Sequence, residues 1–281
     1  MKIPFLKMQG ASNDFVVVDH RAPFLPGAAA GLEPLIRRLC DRRRGVGADG
    51  VLLLEREPDH DFAMRYFNAD GRPADFCGNG ARCLARLALD LGLGTEGEVR
   101  FVTAAGPMRA RRGADGRGIE LRFGRVDGWG AVESVAAAGR SFAGRRIRIG
   151  VPHFVAPVER LDSIPVAQWG AALRRHASFG PEGTNVDFVS RLAAGRVRMR
   201  TYERGVEAET LACGSGAMAA ALWAVAEGDA SPIVVETAGG DDLQVGFTAA
   251  GARWEASLTG PAELVYTGEW DEPVTVGAAR A

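Results

Sequence analysis

Apolar residues cluster along this chain in runs separated by charged and glycine-rich stretches, and two of the runs have the length of a helix. They cover residues 80–91 and 216–227, and each is followed directly by a glycine, Gly92 or Gly228. Glycine commonly ends a helix because it readily adopts the left-handed conformation required there. Both runs are apolar on nearly every side, which predicts helices buried in a core.

Shorter apolar runs predict strands, and a helix is expected near residues 33–42. The predicted strands are residues 15–19, 51–55 and 62–67 in the first half, and 147–149, 186–189 and 197–202 in the second. Many short strands with one apolar helix in each half predict an α+β fold, in which each sheet wraps around a central helix.

The two halves resemble each other around a cysteine. Met64-Arg65-Tyr66-Phe67-Asn68 precedes Cys77, and Met199-Arg200-Thr201-Tyr202-Glu203 precedes Cys213 at nearly the same distance. This period is too long for a solenoid repeat. It predicts two pseudo-symmetric domains, each contributing half of one active site, with a boundary between residues 117 and 126.

The composition is that of an ordinary globular protein. The chain has 281 residues, of which 47 % are hydrophobic and 25 % charged, and its formal net charge of −1 does not favour nucleic acid or an anionic membrane as a partner. The N-terminus lacks a signal-peptide pattern and no run is long enough to span a bilayer, so we expect a cytoplasmic protein with reduced thiols. Lys2 and Lys7 are the only lysines, which nearly excludes an internal Schiff base.

The four cysteines divide into two kinds. Cys40 and Cys83 are interpreted as small buried hydrophobic residues. Cys77 and Cys213 each precede two closely spaced glycines at the start of an apolar helix, where the helix dipole favours a thiolate and free N–H groups bind anions. No Cys/His spacing typical of zinc occurs, and no metal or other cofactor is expected.

Two cysteines at matching positions are suited to inversion at carbon. If they faced each other across the interdomain cleft, a thiolate could remove a proton from one face while a thiol returned one to the other. Backbone N–H groups around Gly78, Asn79, Gly214 and Ser215 would hold a carboxylate as charge developed beside it. The alternative is that small residues merely allow close helix packing, which the duplication makes the weaker interpretation.

Other polar residues near these segments have candidate roles. Arg204 can bind a second carboxylate and Glu203 can accept from an ammonium group. His153, in Gly150-Val151-Pro152-His153, could tune a nearby thiol. Taken singly, a Glu–Arg pair is more often a surface ion pair, and a histidine in a turn is more often structural. The position of Glu203 and Arg204 in the repeat favours a functional role for this pair.

Ordered motifs throughout the chain resemble the diaminopimelate epimerase family, whose members act without pyridoxal phosphate in lysine and peptidoglycan precursor synthesis. The motifs are Lys7-Met8-Gln9-Gly10-Ala11-Ser12-Asn13-Asp14-Phe15, Arg44-Gly45-Val46-Gly47-Ala48-Asp49-Gly50, Phe67-Asn68-Ala69-Asp70-Gly71, residues 77–83, Pro152-His153, Gly183-Thr184-Asn185-Val186-Asp187-Phe188, Glu203-Arg204-Gly205 and residues 212–217.

The resemblance implies interconversion of LL- and meso-diaminopimelate by Cys77 and Cys213. Gly78, Asn79, Gly214 and Ser215 would hold the reacting carboxylate, and Asn13, Asn68, Asn185 and Arg204 would contact the substrate. Glu203 would bind substrate and, with His153, influence the cysteine pKa values. The family further implies a homodimer with Tyr266 at its interface, a mainly antiparallel sheet in each domain, and domains formed by residues 1–120 with 262–281 and by residues 121–261.

Two departures from the family pattern affect the distal substrate site. Some members have Asn where this chain has Val151, and some have Gln where it has Gly50. The alternative functions are an epimerase or racemase for another amino acid, a phenazine-type isomerase, and a thiol switch or amino-acid binding protein. Glu203 with Arg204 argues against a short substrate, and the cysteine pair argues against the last two.

Overall fold

The structure is a computed structural model, and it describes residues 1–25, 29–114, 116, 118–126, 128–250 and 253–272. Residues 273–281, which the predicted first domain includes, lie outside the described residues. The strands are β1 (Lys2–Gly10), β2 (Asn13–Asp19), β3 (Gly50–Glu55), β4 (Phe62–Asn68), β5 (Pro73–Ala74), β6 (Glu98–Thr103), β7 (Gly106–Arg112), β8 (Ile119–Val126), β9 (Trp129–Ala137), β10 (Arg140–Ile149), β11 (Val151–Pro157), β12 (Asn185–Ala193), β13 (Arg196–Glu203), β14 (Ala208–Thr210), β15 (Ile233–Glu236), β16 (Asp242–Ala250), β17 (Arg253–Gly260) and β18 (Glu263–Asp271). The α-helices are α1 (Ala29–Cys40), α2 (Gly78–Asp90), α3 (Val166–Arg174) and α4 (Gly214–Ala226).

The fold is a sheet-dominated α+β fold with few helices among the described residues, which confirms the predicted class. The chain divides into two compact units, unit 1 (residues 1–108 and 262–281) and unit 2 (residues 109–261). The sequence placed this division near residue 120, which lies inside β8. That strand pairs with β7 and with β17, so it belongs to the sheet of unit 2.

In unit 1 the sheet surrounds one helix. β18, β1 and β2 pair antiparallel, β2 and β3 parallel, β3 and β4 antiparallel, and β4 and β6 parallel. Helix α2 contacts β1, β2, β3, β4 and β6, while α1 packs against β3 through an apolar cluster that includes Leu32, Ile36 and Leu53. The N-terminus of α2 is therefore fixed by strands on several sides.

Unit 2 repeats this succession of pairings. β10 and β11 pair antiparallel, β11 and β12 parallel, β12 and β13 antiparallel, and β13 and β15 parallel. The sheet continues antiparallel through β16, β17 and β8. Helix α4 contacts β10, β11, β12, β13 and β15, as α2 contacts the corresponding strands of unit 1.

Both predicted helices are present, and each begins two residues earlier than the apolar run. Gly92 and Gly228 have φ of +72° and +97°, the left-handed conformation expected after a helix. A charged residue lies within the buried part of α2. The Arg82 side chain is fully buried, and its guanidinium donates to Asn79 Oδ1 at 2.9 Å. Cys40 and Cys83 are both buried, as predicted.

Candidate active site

Cys77 is the N-cap residue of α2 in unit 1. Its extended backbone, with φ −141° and ψ 115°, leads into the first helical hydrogen bond, from Ala81 N to Cys77 O at 2.8 Å. The N–H groups of the first turn, including those of Gly78 and Asn79, have no acceptor within the helix because the chain begins there. They form the positive end of the helix dipole beside the thiol.

Asn13 connects the thiol to the helix. Its Oδ1 accepts from Cys77 Sγ at 3.7 Å and from Asn79 Nδ2 at 3.4 Å, and its Nδ2 donates to Asp49 Oδ2 at 2.6 Å. Asp49 therefore fixes the orientation of the Asn13 amide, with the oxygen toward the sulfur. The sequence motif containing Asp49 was recognised, but this role depends on a contact between residues 36 positions apart.

A tyrosine occupies space beside Gly50. A Cβ at Gly50 would lie 2.5 Å from Phe67 O and 2.7 Å from Tyr66 Cε2, so the adjacent strand leaves no room for a side chain there. The Tyr66 ring packs edge-on against Phe15, and its hydroxyl donates to Asn68 Oδ1 at 2.7 Å. Beside Gly50, where some family members have Gln, the neighbouring strand thus contributes a polar group, the Tyr66 hydroxyl.

Cys213 occupies the corresponding N-cap of α4 in unit 2, with φ −129° and ψ 113°. Its sulfur lies 3.5 Å from Ser215 Oγ, and Ala217 N donates to Cys213 O at 2.8 Å. The two cysteine residues thus have nearly the same backbone conformation at the start of equivalent helices. This agreement supports the duplication inferred from the sequence.

The two glycines of each segment differ in their surroundings. A Cβ at Gly78 or Gly214 would meet nothing closer than 3.8 Å. A Cβ at Gly80 would lie 2.9 Å from Leu52 Cδ2, and one at Gly216 would lie 2.6 Å from Asp187 Oδ1. The second glycine of each pair therefore allows close packing of helix on sheet, while space remains beside the first.

A buried polar cluster underlies the N-terminus of α4. Asp187 Oδ2 lies 2.7 Å from His153 Nδ1, and Asp187 Oδ1 accepts from Thr201 Oγ1 at 2.7 Å. Asn185 Nδ2 faces His153 Nε2 at 3.5 Å. The two ring nitrogens of His153 therefore face Asp187 and Asn185. Sequence reasoning assigned no role to Asp187, although it lies in a recognised motif.

Glu203 is the last residue of β13, Arg204 follows it directly, and Asn185 on β12 contacts this pair. Asn185 Oδ1 accepts from Arg204 N at 2.7 Å, which holds the backbone of the pair. The Arg204 guanidinium lies 3.6 Å from Glu182, whose side chain is 73 % exposed, so this ion pair is open to solvent and weak. Burial raises the pKa of the Glu203 carboxyl, and the nearby Asp187 raises it further.

The expected thiolate is not favoured at Cys213. Burial raises the pKa of this thiol well above its ordinary value, and the carboxylates of Glu203 and Asp187 act in the same direction. The hydrogen bonds to Ser215 and Gly216 lower that pKa only in part. At this cysteine, desolvation and negative neighbours thus act against the effect of the helix terminus on the thiol pKa.

The remaining predicted residue, Tyr266, lies apart from these clusters on β18. Its side chain is 45 % exposed and packs edge-on against Phe5 on β1. Over the described residues, no group of three or more His, Cys, Asp and Glu side chains is arranged to hold a metal ion. None of the helices in the same residues combines the length and hydropathy needed to cross a bilayer.

The chain is similar to known proteins over nearly its whole length. A family model described as diaminopimelate epimerase matches residues 5–127 and 146–265. The diaminopimelate epimerase of Aquifex aeolicus (strain VF5) is 38 % identical over 278 residues, covering 96 % of this chain and 98 % of that protein.

Two solved structures share the fold at lower identity. A phenazine biosynthesis protein of the PhzF family from Bacillus anthracis has a TM-score of 0.71 and 16 % identity, covering 97 % of this chain and 100 % of that one. A probable proline racemase from Agrobacterium radiobacter K84 has a TM-score of 0.68 and 20 % identity, covering 98 % and 94 %. The fold is thus shared with these proteins, whereas the family model and the 38 % identity show that this chain belongs to the diaminopimelate epimerase family and is an isomerase.

Proposed function

We propose that this enzyme converts LL-2,6-diaminopimelate to meso-diaminopimelate without a cofactor, using Cys77 and Cys213 as a pair of acid/base groups. The observation that carries the proposal is the matched placement of both cysteines, each at the N-cap of an equivalent helix. Membership of the diaminopimelate epimerase family supports the substrate.

The proposed chemistry is a proton transfer at one Cα. One cysteine, as thiolate, removes the proton, and the other, as thiol, donates a proton to the opposite face, so the sulfur atoms exchange protonation states with each inversion. The mechanism requires both sulfur atoms to reach the same carbon. General acid–base catalysis of this kind contributes about 10²–10⁴-fold, so the remaining acceleration comes from positioning and from charge stabilisation.

In this mechanism the helix N-termini stabilise the carbanion-like transition state. Gly78, Asn79, Gly214 and Ser215 bind the carboxylate beside the reacting Cα, because charge moves into that carboxylate as the proton leaves. The space next to Gly78 and Gly214 is consistent with a ligand that approaches the backbone closely.

The rest of the substrate is held by polar side chains. Asn13, Asn68, Asn185 and Arg204 contact its distal end, and Glu203 accepts from an ammonium group. Arg204 is suited to this role because its observed partner, Glu182, is largely exposed and readily replaced. Glu203 and His153 also adjust the proton affinity of the cysteines.

The proposal also includes the oligomeric state, the cellular location and the pathway of the enzyme. The enzyme is a cytoplasmic homodimer that acts in lysine and peptidoglycan precursor synthesis, with Tyr266 at the interface. The exposed Leu264, Val265 and Tyr266 on β18 support an apolar contact there. Sedimentation of the wild type and of Tyr266→Glu tests it: a wild-type monomer would contradict the dimer, and a monomeric variant would support this interface.

Incubation of the reduced enzyme with LL-diaminopimelate, followed by chiral chromatography, tests the reaction. We expect the meso isomer to form, and Cys77→Ser and Cys213→Ser each to lower the rate at least about 10²-fold. Proline and hydroxyproline are the controls. Conversion of one of these instead would keep the two-thiol mechanism and change the substrate, and no conversion by folded, reduced enzyme would contradict the proposal.

A further inference from the structure

The first turns of α2 and α4 pack on different kinds of atoms, although Cys77 and Cys213 have nearly the same backbone conformation. In unit 1 the first turn of α2 rests on apolar atoms, since a Cβ at Gly80 would meet Leu52 and Phe15. In unit 2 the first turn of α4 rests on polar atoms. A Cβ at Gly216 would lie 2.6 Å from Asp187 Oδ1, 3.1 Å from Thr201 Oγ1 and 3.3 Å from Cys213 Cβ.

A single glycine therefore separates the Asp187 carboxylate from Cys213. The Asp187 side chain is fully buried, and each oxygen has a hydrogen-bond partner, His153 Nδ1 or Thr201 Oγ1. A carboxylate supplied with donors on both oxygens retains its charge in a buried site. This carboxylate lies under the helix N-terminus, on the side of Cys213.

We propose that Asp187 is a positioning residue that keeps Cys213 in its protonated, thiol form in the free enzyme. The negative charge opposes ionisation of the neighbouring sulfur and offsets the positive end of the helix dipole. In unit 1, Leu52 and Phe15 lie beside Gly80, where Asp187 lies beside Gly216 in unit 2. The two catalytic cysteines are therefore unequal before substrate binds, although their backbones match.

Other groups near Cys213 act on the same proton. On the strands packed against α4, Glu203 on β13 and Asp187 on β12 oppose ionisation of the sulfur, and His153 on β11 contacts Asp187. Ser215 lies on the helix itself. Glu203, like Asp187, opposes ionisation of Cys213, but it borders the proposed substrate site. Asp187 is fully enclosed, so its effect is independent of a bound substrate.

The consequence for catalysis rests on the proposed function. With Cys213 as the thiol, the free enzyme is prepared to donate a proton from Cys213 Sγ to the substrate Cα, and the Cα proton passes to Cys77 Sγ. After this inversion the proton on Cys77 must return to Cys213 through solvent before the next turnover in the same direction. Asp187 favours that return because it raises the proton affinity of Cys213.

Titration of the cysteines by NMR tests the proposal without substrate. The full chain is labelled with ¹³Cβ-cysteine, the four signals are assigned with single Cys→Ser variants, and the Cβ shifts are followed from about pH 6.5 to 12 as reporters of ionisation. In Asp187→Asn we expect the Cys213 signal to move toward the thiolate at least about one pH unit lower than in the wild type. The Cys77 signal should follow the same curve in both proteins.

Thr201→Val is the matched control, because it removes a hydrogen bond from the same cluster and keeps the charge. We expect the Cys213 titration in this variant not to shift to lower pH. The buried Cys40 and Cys83 signals report whether each variant is folded. An unchanged Cys213 curve in folded Asp187→Asn, or an equal downward shift in Thr201→Val, would overturn the proposal. Neither result depends on whether diaminopimelate is the substrate.

Discussion

The Tyr66 hydroxyl donates a hydrogen bond to Asn68 Oδ1 at 2.7 Å, so the amide of Asn68 has a defined orientation. Its oxygen is directed to the tyrosine, and its Nδ2 group is the donor that remains for another partner. Asn68 is exposed and belongs to the proposed substrate contacts. A donor presented in this way is suited to a substrate carboxylate.

Tyr66→Phe is expected to weaken substrate binding more than it slows the chemical step. Loss of one neutral hydrogen bond is worth about 0.5–1.5 kcal/mol, so KM should rise roughly 2–10-fold while kcat changes less. Steady-state kinetics with LL-diaminopimelate measures both values.

A double-mutant cycle shows whether Tyr66 acts through Asn68. In the Asn68→Ala background, Tyr66→Phe should have almost no further effect on KM. Additive effects of the two substitutions would contradict this orientation role, as would a Tyr66→Phe enzyme with the wild-type KM.

Gly214 and Gly216 are expected to respond differently to alanine. At Gly216 a Cβ would approach Asp187 Oδ1 at 2.6 Å, and relieving that contact should reduce the free energy of unfolding by about 1–3 kcal/mol. At Gly214 the nearest atom would be Leu258 Cδ1 at 3.9 Å, so stability should change by less than about 1 kcal/mol. Denaturant unfolding of both variants measures these changes.

Gly214→Ala should nevertheless be a poor enzyme, because its methyl group occupies the space proposed for the substrate carboxylate. We expect kcat/KM to fall at least about tenfold with little loss of stability, equivalent to about 1.4 kcal/mol of transition-state binding. A Gly214→Ala enzyme with full activity would argue against carboxylate binding at this helix terminus.

Glu203 should make the protein less stable as the pH rises. Burial raises the folded-state pKa of this carboxyl above its ordinary value of 4.5, so between the two values the folded protein holds a proton that the unfolded chain has lost. Stability therefore decreases as the pH rises from about 4.5 through the raised pKa. Glu203→Gln removes this dependence.

Thermal unfolding of Glu203→Gln at several pH values checks the sign. The variant should have a higher Tm than the wild type at pH 7.5, and the difference should shrink toward pH 4.5. Its epimerase activity should fall, since a neutral amide no longer pairs with an ammonium group. A Tm difference that is the same at both pH values would mean that ionisation of Glu203 is not its cause.

The sequence was sufficient for the elements with a strong local pattern. The apolar run after Cys213 predicts α4 and its end at Gly228, and the Val-rich run after Asp14 predicts most of β2. Helix α3, Val166–Arg174, lies in a mixed segment with a weak local pattern, and it was not predicted. Strands such as β16 and β17 were also missed, since their register depends on pairing with each other.

Much of the candidate site could be predicted because its residues lie in short motifs, whereas their contacts could not. The pairing of Asp187 with His153 joins residues 34 positions apart. The Tyr66 ring fills space created by the missing side chain of Gly50 on the next strand. The pKa of Cys213 could not be predicted, because the sequence shows the helix terminus, whereas burial and the neighbouring carboxylates depend on tertiary structure.

The most direct test of the two-cysteine account is the isotope content of substrate and product at early times in D₂O. LL-diaminopimelate is incubated with the reduced enzyme, and both isomers are separated and examined by mass spectrometry before about a tenth has reacted. The account predicts that meso product carries deuterium at the inverted Cα while recovered LL substrate carries almost none, since the second thiol supplies a solvent-derived hydrogen. Product that retains the original proton, or deuterium entering the LL substrate without inversion, would contradict it.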